Sequence, residues 1–303
     1  MNFRNLAFLL LSILCVPSAV AKTKVLVTLP DFIEVVRALG GDTVEVDSLL
    51  DGREDPHFVD ALPSFVTKAS KADVVCSVGL DLEIAWLPKV LAKSGNAKVQ
   101  SGGSGFCELG RSVNVLEKAT SPVDRSMGDV HAAGNPHFYL SPSALIESSR
   151  EVLRVLTKAD PKNATLFEAN AKLFAEKMMA LKVLIQSKLV PVQSAVLIQY
   201  HKEFSYFLSE YGLKSVGSIE EKAGVPPSAA RIVAVSSEAK AARVALALGA
   251  LHSPTAHLLK FTEVSGVKAV KVPAGVQKND QRFDSIAKVQ AALADELLKI
   301  SQP

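Results

Sequence analysis

The chain has 303 residues, 48% of them hydrophobic and 21% charged, with a formal net charge of +3. That length allows one large or two medium domains with full apolar cores, so neither a metal nor a disulfide is needed to hold the fold. Interspersed charge signs and 6% aromatic residues give no basis for a nucleic-acid partner, which calls for a basic face or stacking rings.

The N-terminus reads as a leader. "LAFLLLSILCV" is an apolar run of eleven residues, too short to span a bilayer comfortably, and "PSAVA" follows with an A-x-A cleavage pattern. A signal peptide is therefore expected over 1–21, with the mature chain starting near Lys22. Leu14 before Cys15 argues against lipidation, because that position favours a small residue. Export leaves Cys76 and Cys107, which in an oxidising compartment either pair or stay as two buried thiols.

In chain order, "TKVLVTLP" predicts a buried strand, "DFIEVVRALGG" a helix with a Gly stop, and "DTVEVDSLL" a second strand. "PSFVTKASKA" predicts a helix opened by Pro63, "DVVCSVG" a strand, "DLEIAWLPKVLAKSG" a helix and "AKVQSGG" a strand. Residues 102–136 are rich in Gly, Ser and Asp and too long for an ordinary connection. "SPSALIESSREVLRVLTKA" predicts a helix capped by Ser141. A helix over 160–189 follows, with Leu166, Phe167, Ala171, Phe174, Met178, Leu181 and Ile185 on one face, suited to a strut between two lobes. The alternation then repeats. "SAVLIQY", "LKSVGSI", "GALHS" and "VKAVKVP" predict strands, separated by helices and closed by a helix over "DSIAKVQAALADELLKI". The fold class expected is α/β with parallel sheets, and in such sheets ligands bind outside the carboxyl ends of the strands.

Of six histidines, three fall on that edge. His57 and His137 each follow a proline, in "EDPHF" and "GNPHF", and His201 comes straight off the strand "AVLIQY". Imidazole is the commonest metal ligand and a His₃ set suits Zn²⁺. The spacing alone is weak and the shared edge is what points to a metal; a hydrogen-bonded structural role for each His is the alternative. His131 is read as a solvated loop residue in preference to an accessory metal contact, and His252 and His257 as surface or cap residues. No nucleophile elbow, H-E-x-x-H helix, phosphate loop or dinucleotide glycine pattern occurs.

With these residues in place, the chain resembles the zinc/manganese solute-binding proteins of ABC transporters, the cluster A-I type. "DPHFVDALPSFVTKASKADVVCSVGLDLEIAWLPKVL", "GDVHAAGNPHFYLSPS" and "YHKEFSYFLSEYGLKSVGSI" carry the resemblance, which covers nearly all of the mature chain. It implies two Rossmann-like lobes, over 22–159 and 190–303, joined by a long rigid helix over 160–189. Metal would lie between them on His57, His137 and His201. It further implies a periplasmic zinc-binding protein of a Gram-negative cell, acting as a monomer and not as an enzyme. That protein would deliver its cargo to an ABC membrane permease, and a periplasmic metallochaperone is a further partner to consider. The chain departs from the family where a fourth ligand, an Asp, often stands. Here the stretch is "VKVPAGVQKND", and Asp280, its only acid, either reaches in as fourth ligand or caps the last helix. Losing that Asp favours Zn²⁺ over Mn²⁺, whose preference is for carboxylate oxygen. An Mn²⁺- or Fe²⁺-binding homologue is the alternative within the class, and a His₃ zinc hydrolase the alternative outside it.

Overall fold

The structure is a computed structural model that describes residues 21–119, 131–220 and 224–301. All but the last residue of the expected leader lies outside the described residues.

The first sheet contains β1 (Thr23–Val27), β2 (Val44–Ser48), β3 (Val74–Ser77) and β4 (Phe106–Glu108). Its helices are α1 (Asp31–Gly40), α2 (Pro63–Lys71) and α3 (Leu87–Ser94), followed by α4 (Pro142–Ala159). The long helix α5 (Ala164–Leu189) leads to the second half. There β5 (Val196–Gln199), α6 (Ser205–Glu210), β6 (Lys214–Ser218), α7 (Ala229–Ala241) and β7 (Leu246–Ala250) follow in turn. The chain closes with α8 (Thr255–Ser265), β8 (Ala269–Val272) and α9 (Ile286–Leu298). Every strand pairing is parallel, and the two sheets share one order, β2-β1-β3-β4 and β6-β5-β7-β8. The fold is thus α/β with two parallel-sheet lobes and a long helix, as expected. In both lobes the chain reverses beside the first strand, which opens a crevice at the carboxyl ends of the strands.

Several elements sit away from their predicted places. "AKVQSGG" forms only a short 3₁₀ turn at Ala97–Val99, and the edge strand is "FCE" at 106–108. Gly103 and Gly105 explain the shift: a Cβ at either would meet backbone oxygens at 2.3 and 2.1 Å, so the chain turns tightly there before it pairs. β7 is "LALGA" rather than "GALHS", which leaves His252 in the loop beyond it. α5 has 26 residues, about 39 Å at 1.5 Å each, and starts at Ala164 because Pro161 opens a separate 3₁₀ turn. It buries Phe167, Phe174, Met178, Leu181, Ile185 and Leu189, while Leu166 turns to solvent. Cys76 and Cys107 are register partners on β3 and β4, fully buried, and stand as free thiols. Among the described residues no helix is long and apolar enough to cross a membrane.

The halves are tied by more than α5, which packs on α1, α4 and α9. Gln290 of α9 donates to the Leu140 carbonyl at 2.7 Å and accepts from the Tyr211 hydroxyl at 2.7 Å. The Val276 amide donates to Asp31 at 2.9 Å. Phe32 of α1, also fully buried, packs its ring against Phe138 and Tyr139, which fixes the segment just after His137.

Candidate metal centre

His57, His137 and His201 meet in the crevice. One ligand atom from each lies within 4.8 Å of the other two, and His137 and His201 bring their Nε2 atoms to 3.3 Å. A tetrahedral ion with metal–nitrogen bonds of 2.0–2.1 Å sets neighbouring nitrogens about 3.3 Å apart. His57 and His137 are buried and His201 is half-buried.

Local sequence sets each ring. In both Pro-His motifs the residue before the proline makes an Asx turn: Asp55 Oδ1 accepts from the His57 amide at 3.0 Å, and Asn135 Oδ1 accepts from the His137 amide at 2.9 Å. The proline fixes the φ between them. His201 needs no such turn, because β5 delivers it directly and the Phe204 amide is held by Gln199 Oε1 at 2.8 Å.

The other ring nitrogen of each His meets an oxygen. His57 Nδ1 donates to Asp55 at 2.7 Å, His201 Nδ1 donates to Glu220 at 3.1 Å, and His137 Nδ1 is 2.9 Å from the Tyr139 hydroxyl. A carboxylate only accepts, so His57 and His201 carry their proton on Nδ1 when neutral and turn an unprotonated Nε2 toward the centre. This is the arrangement by which outer partners orient imidazoles toward a metal.

The charges agree with a cation site. Burial, then the imidazoles of His57, His201 and His131, hold the His137 pKa well below its ordinary value, which keeps its lone pair available. Burial also works against charge on His201, but the Glu220 hydrogen bond and the carboxylates of Glu203, Glu220 and Asp55 outweigh it and raise that pKa. Burial opposes ionisation of Asp55 too, yet its bond to His57 holds its carboxyl down at about 2. Asp55, Glu203 and Glu220 place three carboxyl groups on the lining of the cavity beside His57 and His201.

Asp280 does not join the three histidines. Its carboxylate is taken by Arg282, at 2.6 Å from Nη2, and by the Arg282 amide at 3.0 Å. Nor does it cap the last helix: Ser285 does, accepting from the Lys288 amide. The stretch after β8 turns back on itself, so a carboxylate there satisfies its own loop. His131, expected in solvent, instead lies with Nε2 3.1 Å from His57 Nε2, and burial followed by the charges of His57 and His201 pushes its pKa down to about 3. His252 is also no plain surface residue, since its Nε2 pairs with Glu203 at 2.9 Å. His257 stacks on Tyr200 and takes its hydroxyl at 2.7 Å. The orienting residues Tyr139 and Glu220 went unread in the sequence; the one available signal was the Asx residue before each proline.

The family model for the periplasmic component A of the zinc-uptake complex matches residues 25–291. The chain belongs to that family. Its members are metal-binding solute-binding proteins of ABC transporters and not enzymes, so the hydrolase alternative falls. The iron-binding protein YfeA of Yersinia pestis is 26% identical over 232 residues, 74% of this chain and 69% of the relative. The zinc-binding lipoprotein AdcA of Streptococcus pneumoniae is 26% identical over 225 residues, 74% of this chain and 44% of the relative. The manganese transporter lipoprotein PsaA of the same species is 27% identical over 199 residues, 64% of this chain and 61% of the relative. Solved structures share the fold, two among them being ZnuA and FpvC. ZnuA has a TM-score of 0.76 at 22% identity, covering 93% of this chain and all of that one. FpvC of Pseudomonas aeruginosa, in complex with Mn²⁺, has a TM-score of 0.74 at 24% identity, over 93% and 97% of the two chains. Family members thus include zinc, manganese and iron binders.

Proposed function

We propose that this protein is a high-affinity zinc carrier of the periplasm that hands Zn²⁺ to an ABC importer, with His57, His137 and His201 as the ligands. One observation carries the reading: three imidazoles converge in one crevice, and each is aimed by an oxygen on its far nitrogen. An all-nitrogen set favours Zn²⁺, whereas Mn²⁺ calls for carboxylate oxygen, and Asp280 is committed to Arg282. Relatives whose names specify manganese or iron keep those ions as the alternative cargo.

In this reading the carboxylates around the crevice draw the cation in and balance its charge once bound. The ion is cargo, so the site must release it as well as hold it. Release at the permease follows when the lobes shift and the His201 side of the set parts from the two Pro-His residues. The protein acts as a monomer, exported by its leader, and a periplasmic metallochaperone is a further partner for loading.

Competition titration of the mature protein against a chromophoric chelator tests this. One Zn²⁺ binds per chain, and His57→Ala, His137→Ala and His201→Ala each weaken binding by more than about 100-fold, beyond the usual effect of losing an outer partner. A wild-type protein that takes up no Zn²⁺, or that prefers Mn²⁺, contradicts it.

A further inference from the structure

Glu203 is not explained by the three histidines. It sits in the 3₁₀ turn Lys202–Phe204, two residues past His201, and is only 3% exposed. One oxygen, Oε1, pairs with His252 Nε2 at 2.9 Å. The other, Oε2, is buried and accepts from no protein group among the described residues. Burying a carboxylate with half its acceptors unused is costly, so such a group calls for a ligand.

Its position says which. Glu203 and His252 form a shared wall between two cavities. One, of about 220 Å³, is also lined by His57 and His201. The other, of about 30 Å³, is also lined by His137. The carboxylate therefore adjoins the spaces beside all three histidines. The smaller cavity has room for a water or two. Glu203 is outside the group of ligand atoms that lie within 4.8 Å of one another. A metal–oxygen bond of about 2.0–2.2 Å followed by a charge-assisted hydrogen bond of about 2.5–2.7 Å would let a carboxylate outside that group act on the ion through one water.

We propose that Glu203, clamped by His252, completes the site by accepting a hydrogen bond from the water that fills the ion's fourth coordination position. This rests on the metal site proposed above. Glu203 is thus a positioning residue that sets affinity and the choice of metal, and it supplies in the outer shell the carboxylate that Asp280 does not supply in the inner one. His252 belongs to the same unit, because it fixes which oxygen stays free.

The test compares wild type, Glu203→Gln, His252→Gln and the double variant, each loaded with Zn²⁺ for affinity and with Co²⁺ for its ligand-field spectrum. Glu203→Gln keeps the size of the side chain and an oxygen for His252, but loses the anion. It should still bind one ion per chain, about 10- to 100-fold more weakly, with a shifted Co²⁺ spectrum. The double variant should be no weaker than Glu203→Gln alone, since the two residues act together. Glu203→Gln with wild-type affinity and spectrum, even if its metal-free form melts lower, overturns the proposal. So does a loss as complete as that of His201→Ala, which would make Glu203 a direct ligand. If wild type binds no ion, the proposed function fails first and this inference with it.

Discussion

Asp55 and Asn135 occupy the same place in the two Pro-His motifs and share one task, but each has a second. Both accept from the amide of the histidine two residues on. Asp55 also accepts from the His57 ring N–H, whereas the Asn135 side-chain amide donates to the Lys202 carbonyl at 2.7 Å, next to His201. Asn135 therefore pins the His137 loop of one lobe to the His201 turn of the other. Asn135→Asp keeps the Asx turn but sets a carboxylate against that carbonyl. Zinc affinity should fall about 10-fold while every ligand remains, as measured by competition titration. An unchanged affinity would show that the cross-lobe bond is incidental. That His57, His137 and His201 share one edge was legible in the sequence, because each falls where a strand hands over to a loop, and the structure brings the three together. Their partners were not. Glu220 and His252 reach the site only through tertiary contact, and Tyr139 and Glu203, each two residues past one of the histidines, carry no motif that marks them. Asp280 misled for the opposite reason: its place in the chain was suggestive, but Arg282, two residues on, takes it.

At the scale of elements, the junction of α4, α5 and α6 shows how the ligand turns are held. Ser141 caps α4, its hydroxyl accepting from the Ala144 amide at 3.1 Å. Ser141 and Ser143 also donate to Glu210 at the end of α6, and Lys182 of α5 pairs with the same carboxylate at 2.6 Å. Burial alone would raise the Glu210 pKa, but Lys182 and the two hydroxyls more than offset it and hold it below its ordinary value. A depressed folded-state pKa means stability that is present above the unfolded value, about 4.3, and lost as pH falls through the folded one. Glu210→Gln should therefore cost about 1–3 kcal/mol at neutral pH. Thermal melts should show the gap to wild type closing as the pH drops below about 4; a gap independent of pH would contradict the ionic reading. Helix starts were readable at this scale, because Pro63, Ser141 and Pro142 carry the signal locally. Strand positions were less so. The edge strand Phe106–Glu108 has only three residues, and its pairing is decided by the glycine turns before it and by Val75–Ser77 beside it.

Across the whole molecule, repeated topology makes the site. Each lobe places its strands in the same order, so each opens a crevice at its carboxyl edge, and residues of the two edges meet at the three histidines while α5, α9 and the Asp31–Val276 contact tie the halves. The Pro-His histidines come from the first half and His201 from the second, so the set is complete only when the lobes are held together. The central claim is that this junction binds a divalent cation through nitrogen. X-ray absorption on the zinc-loaded mature protein tests it most directly. One ion per chain is expected, with about three imidazole nitrogens and one light atom at 2.0–2.1 Å. A shell of six oxygen-dominated ligands, or a spectrum unchanged in His137→Ala, would contradict it.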